Sequence, residues 1–300
     1  MPPPSRQRIL VIRRPGLRAW LDSAAPCAAL LESRLPEIAA IPSGFTPIPT
    51  RNRMNRVWEG HLDGIPGPFI LKQGWINPVY PLDRRIARRV NFALRNRFLQ
   101  SMELSFRLEA IGFASVRPVL CWKRHSGLFP VEIGILYPKI EASASFARYL
   151  VIPNDPTGPW RFATLPEATA RAWGRHTRHL NEAGLLHTDP APWNILIRPG
   201  AVDPPLEADF VYIDADAFRP LPVRAPSSPA GRHLRALAMD RVLQFLSPSD
   251  LAAFCEGFAL PGESPSSWQC LFDWLRRHPN PHPPAKLQLF MRALAFRPQA

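Results

Sequence analysis

Hydrophobic and polar positions fall into helical and strand-like periods that alternate along the chain. Residues 7–22 hold one strand-like run, and residues 23–40 carry a short helical pattern that stops near the Pro42-Ser-Gly44 turn. We read residues 1–48 as an N-terminal extension. From Asn55 the pattern changes. Val57-Trp-Glu-Gly-His-Leu62, a turn at Asp63-Gly-Ile-Pro-Gly67 and then Phe69-Ile-Leu-Lys72 predict two antiparallel strands joined by a short loop. Ile86, Val90, Leu94, Phe98, Met102 and Phe106 recur at every fourth position and predict one long helix from about Asp83 to Ile111, stopped by Gly112. Strand-like runs at 116–122 and 131–137 lead into Pro138-Lys-Ile-Glu141.

The second half opens with a helix from about Pro166 to Ala183, whose Gly184 stop delivers the chain into Leu185-Leu-His187. Ile195-Leu-Ile197 and Phe210-Val-Tyr-Ile213 flank the turn-rich insert 198–209 and predict a strand pair. Helical patterns follow at 231–246, 248–258 and 266–277. The expected class is α+β, with a small β-rich N-lobe over residues 49–141 and a mainly helical C-lobe over residues 142–300.

Composition narrows the possibilities. At 300 residues and 46% hydrophobic, the chain can bury a full core. No run approaches the roughly 18 apolar residues of a membrane span, and Ile9-Leu-Val-Ile12 is too short for a signal peptide, so the expected location is the cytoplasm. Cys27, Cys121, Cys255 and Cys270 lack metal or disulfide spacing and read as buried apolar residues. A formal charge of +13 favours anionic partners. The arginines between Arg84 and Arg107 either touch phosphates of an anionic membrane, which would make the protein peripheral at the inner membrane, or form a solvated helix face. Basic residues are not interleaved with aromatics as a single-strand stacking platform requires, so no nucleic-acid partner is expected.

The chemistry concentrates in His187-Thr-Asp189-Pro-Ala-Pro-Trp-Asn194, followed twenty positions later by Asp214 at the end of an apolar run. His-x-Asp-x4-Asn with a later strand-end Asp is the catalytic-loop and metal-Asp spacing of kinases. One carboxylate addresses the proton of the attacking hydroxyl, while an amide and a second carboxylate hold the magnesium that bridges the nucleotide phosphates. In this reading Asp189 is the base, Asn194 and Asp214 are the metal ligands, and His187 braces the loop. Asp216 is expected to bond local backbone, with metal binding as the alternative. The alternative is an ordinary turn in which Asp189 and Asn194 cap structure near prolines.

Asn181-Glu-Ala-Gly-Leu-Leu-His-Thr-Asp-Pro-Ala-Pro-Trp-Asn-Ile-Leu196 and Val211-Tyr-Ile-Asp-Ala-Asp-Ala-Phe218 resemble the bacterial lipopolysaccharide kinase family, the Kdo/heptose (WaaP- and InaA-like) group. The likeness extends over roughly residues 50–260 and includes Phe69-Ile-Leu-Lys72 and Leu108-Glu-Ala-Ile-Gly-Phe-Ala-Ser-Val-Arg-Pro-Val119. It implies a protein-kinase-like fold, ATP with magnesium, and phosphorylation of a sugar hydroxyl of the lipopolysaccharide core, Kdo or heptose. Aminoglycoside and choline kinases share that fold and loop, which leaves other small-molecule acceptors open. Ala191, where protein kinases carry a lysine, weighs against a protein substrate.

Five further residues are candidates for holding the nucleotide. Lys72, ending an apolar strand, would pair with the α- and β-phosphates, a snorkelling lysine being the alternative. Glu103 is the candidate helix partner of Lys72, although counting back from Gly112 the usual position is Ser101 and Glu103 can pair with Arg107 instead. Arg51-Asn-Arg-Met-Asn-Arg-Val57 holds no glycine-rich loop, so Arg53, Asn55 and Arg56 are candidates for phosphate contact, with a solvated turn as the alternative. Tyr137 to Glu141 falls where the lobe connector binds adenine. The missing glycine-rich loop and the uncertain glutamate keep a catalytically inactive nucleotide-binding pseudokinase as the second reading. His176-x-x-His179 and His278-x3-His282 lack metal-ligand company.

Overall fold

The computed structural model describes residues 8–49, 55–76, 79–94, 96–127, 129–140, 144–146, 165–190, 192–198, 200–201, 205–213, 217–221, 226–239, 243 and 246–277. They fall into two compact units, drawn from the chain up to position 141 and from position 142 onward.

The first unit runs β1 (Ile9–Arg14), β2 (Leu17–Asp22), α1 (Ala28–Ser33), α2 (Leu35–Ala39), β3 (Phe45–Ile48), β4 (Asn55–His61), β5 (Pro68–Trp75), α3 (Leu82–Leu94), α4 (Arg97–Ala110), β6 (Leu120–Ser126) and β7 (Phe129–Pro138). Among the described residues seven strands form one antiparallel sheet in the order β1-β2-β6-β7-β5-β4-β3. The β4–β5 hairpin lies where alternation predicts it. The segment read as an extension supplies β1, β2 and β3, with β2 bonded to β6 across about 100 residues of sequence, a pairing no local pattern reveals. Alternate residues on one sheet face, including Leu21, Leu71, Leu120, Trp122 and Leu136, pack against Leu31, Leu35 and Ile38 of α1 and α2.

Three expectations need correction here. The single helix from Asp83 to Ile111 is two helices, broken at Asn96, whose side chain caps α4 by accepting from the Leu99 amide at 3.2 Å. Spacing of four drifts about 40° per step, so one straight helix could not keep all six apolar residues on a single face. Phe98, Met102 and Phe106 are buried, whereas Ile86, Val90 and Leu94 are exposed. Second, Lys72 does not end its strand, because Gln73, Gly74 and Trp75 continue to pair with β4 and β7. Third, of the four cysteines only Cys121 and Cys255 are buried, and Cys270 is exposed on the outer side of its helix.

The second unit comprises β8 (Ala144–Ser145), α5 (Glu167–Glu182), β9 (Leu185–His187), β10 (Ile195–Ile197), β11 (Phe210–Tyr212), β12 (Phe218–Pro220), α6 (Pro229–Met239), α7 (Pro248–Phe258) and α8 (Pro265–Arg277). Helix α5 ends at Glu182, with Ala183 as its C-cap and then Gly184, whose φ of 71° only glycine adopts without strain. The chain then enters β9, which pairs with β12, while β10 pairs with β11 and β8. Helices α5 and α7 cross with Gly174 and Gly257 at the contact. A fully buried Arg235 is held by Glu263 at 2.9 Å and by the Phe258 carbonyl at 2.9 Å, between the rings of Phe258 and Trp268.

Candidate active site

Strand β9 ends at His187, and the loop after it is fixed from three sides. The Asp189 amide donates to His187 Nδ1 at 3.1 Å, which turns the histidine into a brace for the loop backbone. Thr188 donates to the Ala217 carbonyl through both its amide (2.9 Å) and its hydroxyl (2.8 Å), tying the loop to the segment before β12. Asn194, at the end of a short 3-10 turn, donates through Nδ2 to the Asp189 carbonyl at 2.9 Å and to Asp189 Oδ2 at 3.3 Å. Two residues five apart are thus drawn together, with the Asp189 carboxylate half-exposed and Asn194 buried.

The brace stands on an aromatic floor. The His187 ring stacks on Tyr212 at 4.9 Å and meets the edge of Phe218 at 4.4 Å, while His176 of α5 stacks on the Tyr212 ring at 5.1 Å. Burial pushes the pKa of His187 down to about 3, with the nearby His176 a smaller cause. His176 is likewise pushed down to about 3 by burial and by His179. A neutral His187 can keep Nδ1 as an acceptor for Asp189, and a protonated one cannot. Sequence spacing identified His187 but not Tyr212 or His176. The signal for them, aromatic residues on the buried faces of α5 and β11, is the same as for any core position.

Asn194 also receives a backbone bond, from the Ile213 amide to its carbonyl at 3.1 Å. Strand β11 therefore ends beside Asn194. Asp214 and Asp216 themselves lie outside the described residues, as do Arg53 and Glu141. Turning Nδ2 toward Asp189 points the amide oxygen of Asn194 the other way, and a hard oxygen is the donor type magnesium takes. Among the described residues no group of three or more His, Cys, Asp or Glu side chains could hold a metal ion. A magnesium that completes its shell with phosphate oxygens and water needs only one or two protein ligands, so the donor chemistry fits it.

The remaining candidates belong to the first unit. Lys72 lies mid-way along β5 in a cross-strand row with Ile135 of β7 and Cys121 of β6. Burial raises the pKa of the Cys121 thiol, and the charge of Glu103 on α4 adds to it, which puts Glu103 within electrostatic reach of Cys121. Among the described residues no ion pair joins Glu103 to Lys72 or to Arg107. Ser101 is fully buried, with its hydroxyl 3.2 Å from that of Tyr137. Asn55 is buried and accepts from Arg97 Nη2 at 2.5 Å, which ties the start of β4 to the start of α4, and Arg56 stacks over Trp75 at 3.6 Å. Arg97 was not apparent from sequence as the partner of Asn55, because nothing local links the two.

No protein-family model matches the chain. No curated protein matches it either. Solved structures do. A structure of WaaP in complex with acyl carrier protein superposes with a TM-score of 0.51 at 15% identity, over 87% of this chain and 96% of WaaP. The PknI kinase domain of Mycobacterium tuberculosis, as a double mutant, matches with a TM-score of 0.41 at 18% identity, over 78% of this chain and 96% of that one. The chain has a protein-kinase-like fold, with an N-terminal antiparallel sheet and a C-terminal helical region.

Proposed function

We propose that the protein is an ATP-dependent phosphotransferase acting on a sugar hydroxyl, with the Kdo or heptose of the lipopolysaccharide core as the acceptor class. The observation that carries the reading is the bond from Asn194 Nδ2 to the Asp189 carbonyl, made while His187 holds the Asp189 amide. It fixes a half-exposed carboxylate and an amide oxygen on one rigid loop, as a base and a metal ligand for phosphoryl transfer must be. Asp189 would accept the proton of the acceptor hydroxyl, and Asn194 with Asp214 would hold magnesium. Bound magnesium would neutralise the phosphate charge of ATP. Lys72, Glu103, Arg53 and Asn55 are proposed to serve the nucleotide from the first unit. The acceptor class rests on the resemblance of the loop to the lipopolysaccharide kinases. Acyl carrier protein, the companion of WaaP in its complex, is a further candidate partner, testable by co-purification.

The lack of a glycine-rich loop in the sequence from Arg51 to Val57 is what favours the second reading, a pseudokinase that binds nucleotide without transferring phosphate. Transfer of labelled γ-phosphate from ATP to a panel of core sugars separates the two. Magnesium-dependent labelling of a sugar is expected. Nucleotide binding with no labelled acceptor across the panel would favour the pseudokinase.

A further inference from the structure

Helix α3 is turned inside out. Its sequence Leu82-Asp-Arg-Arg-Ile-Ala-Arg-Arg-Val-Asn-Phe-Ala-Leu94 places apolar residues at 82, 86, 90 and 94. These four are 67%, 52%, 44% and 80% exposed, while only Phe92 of the helix is buried. At about 100° per residue they form one stripe roughly 120° wide. On the opposite side Arg85 and Arg88 are half-buried, and Arg88 lies over the Phe92 ring at 5.1 Å. Burial lowers the pKa of Arg88, with the charge of Arg97 a second cause. Lys123 of β6 donates to the Phe92 carbonyl at 2.5 Å, anchoring the C-terminal end of the helix to the sheet. The stripe therefore faces water because the helix is held with its other side inward. Two more arginines are exposed outside the stripe, Arg89 about 20° from Leu82 at its border and Arg84 about 80° beyond Leu94. Asp83 falls in the stripe's own sector but in the first turn, where it offsets the helix dipole and leaves the run from Ile86 to Leu94 unbroken.

An exposed apolar stripe on a globular unit marks an interaction surface. Arg89 at its border and the formal charge of +13 select its partner. We propose that α3 docks the protein on an anionic lipid bilayer, with Leu82, Ile86, Val90 and Leu94 entering the interface, Arg89 snorkelling to headgroup phosphates and Arg84 adding longer-range attraction. That is the arrangement of an interfacial helix, which lies in the membrane plane with its apolar side down and cations on its polar side. No helix among the described residues is long and apolar enough to cross a membrane, so α3 would lie on the surface. A second copy is a poorer occupant. A two-fold contact would bring the arginines of both copies to one seam on a chain of formal charge +13. A 13-residue helix, about 20 Å long and 10 Å wide, also offers far less than the ~800 Å² per partner of a stable interface. The proposal is independent of the kinase reading.

Flotation of the full chain with vesicles of phosphatidylcholine mixed with phosphatidylglycerol, beside pure phosphatidylcholine vesicles, tests it. Binding to the anionic vesicles is expected, with a fraction surviving high salt because the stripe contributes apolar burial. Ile86→Gln with Val90→Gln should cut the partition about tenfold or more at any salt. Arg84→Glu with Arg89→Glu should cut it about tenfold at low salt and little at high salt. All four residues are exposed, so thermal unfolding should be unchanged, and circular dichroism checks that each variant is folded. Wild type that ignores anionic vesicles, or an Ile86→Gln, Val90→Gln variant that binds as wild type does, would overturn the proposal. Dimers of the wild type that this variant abolishes, without vesicle binding, would assign the stripe to a second copy and overturn it too.

Discussion

Replacing Gly174 by alanine tests the helix crossing on which the candidate site stands. Helix α5 leads straight through Gly184 into β9 and His187, and its position is set where it crosses α7. A Cβ on Gly174 would lie 2.2 Å from the Phe254 carbonyl oxygen and 2.9 Å from the Phe258 nitrogen, both backbone atoms. Reciprocally, a Cβ on Gly257 would lie 2.1 Å from the Arg171 carbonyl oxygen. No rotamer relieves a clash with backbone, so reaching an ordinary contact from 2.2 Å requires the helices to part by roughly 1 Å at the crossing. Overpacking of this kind costs about 1–3 kcal/mol, and contact with main chain on both sides puts this site at the upper end. Alanine gains about 1 kcal/mol of helix propensity over glycine, which leaves a net loss of about 2 kcal/mol. For a unit of roughly 150 residues that lowers Tm by about 4–8 °C. Calorimetry of Gly174→Ala and Gly257→Ala, singly and combined, is the assay. Both Cβ atoms strain the same crossing, so the combined loss should be smaller than the two single losses added. A Tm at or above wild type, as alanine produces in an open helix, would refute the close approach.

Two further outcomes follow from buried charge. The unfolded chain takes up protons near pH 6.5 that the folded chain refuses until about pH 3 at both His176 and His187. The contribution of each histidine is thus intact above the unfolded pKa and is lost as pH falls through that window, by about 1.4 kcal/mol per pH unit per histidine. Urea titrations at several pH values should show His187→Phe with a shallower acid slope than wild type, and parallel slopes would contradict the burial. Glu263→Gln should cost about 3–5 kcal/mol, because it leaves Arg235 buried without its counter-charge, whereas Arg235→Met with Glu263→Met should cost less. Chemical denaturation compares them. A single variant as stable as wild type would mean that the pair is not closed to water.

Elements with local signals were legible in the sequence. The β4–β5 hairpin, α5 with its Gly184 stop, and the β10–β11 pair follow from alternation, amphipathic spacing and turn chemistry, and the His187–Asp189–Asn194 loop from its spacing. What stayed hidden depends on distant chain. Strand β2 joins β6, Arg97 seizes Asn55, and Gly174 meets Gly257 only once the chain has folded. The break at Asn96 was hidden for another reason. A run of apolar residues at spacing four looks continuous whether its members face the core or water, and only packing separates Phe98 and Met102, which are buried, from Ile86 and Leu94, which are not. The row of Lys72, Ile135 and Cys121 likewise needs the register of three strands.

The kinase reading turns on whether Asp189 addresses the acceptor and not the nucleotide. The decisive measurement pairs ATP turnover with core-sugar acceptors and a separate magnesium–nucleotide binding titration, for wild type and Asp189→Ala. The loop backbone is held by His187 and Asn194 through main-chain atoms of residue 189, so the substitution should leave its shape and nucleotide affinity nearly intact. Loss of the base should slow transfer by about 10²–10⁴-fold. An Asp189→Ala protein that transfers phosphate as fast as wild type would contradict the mechanism.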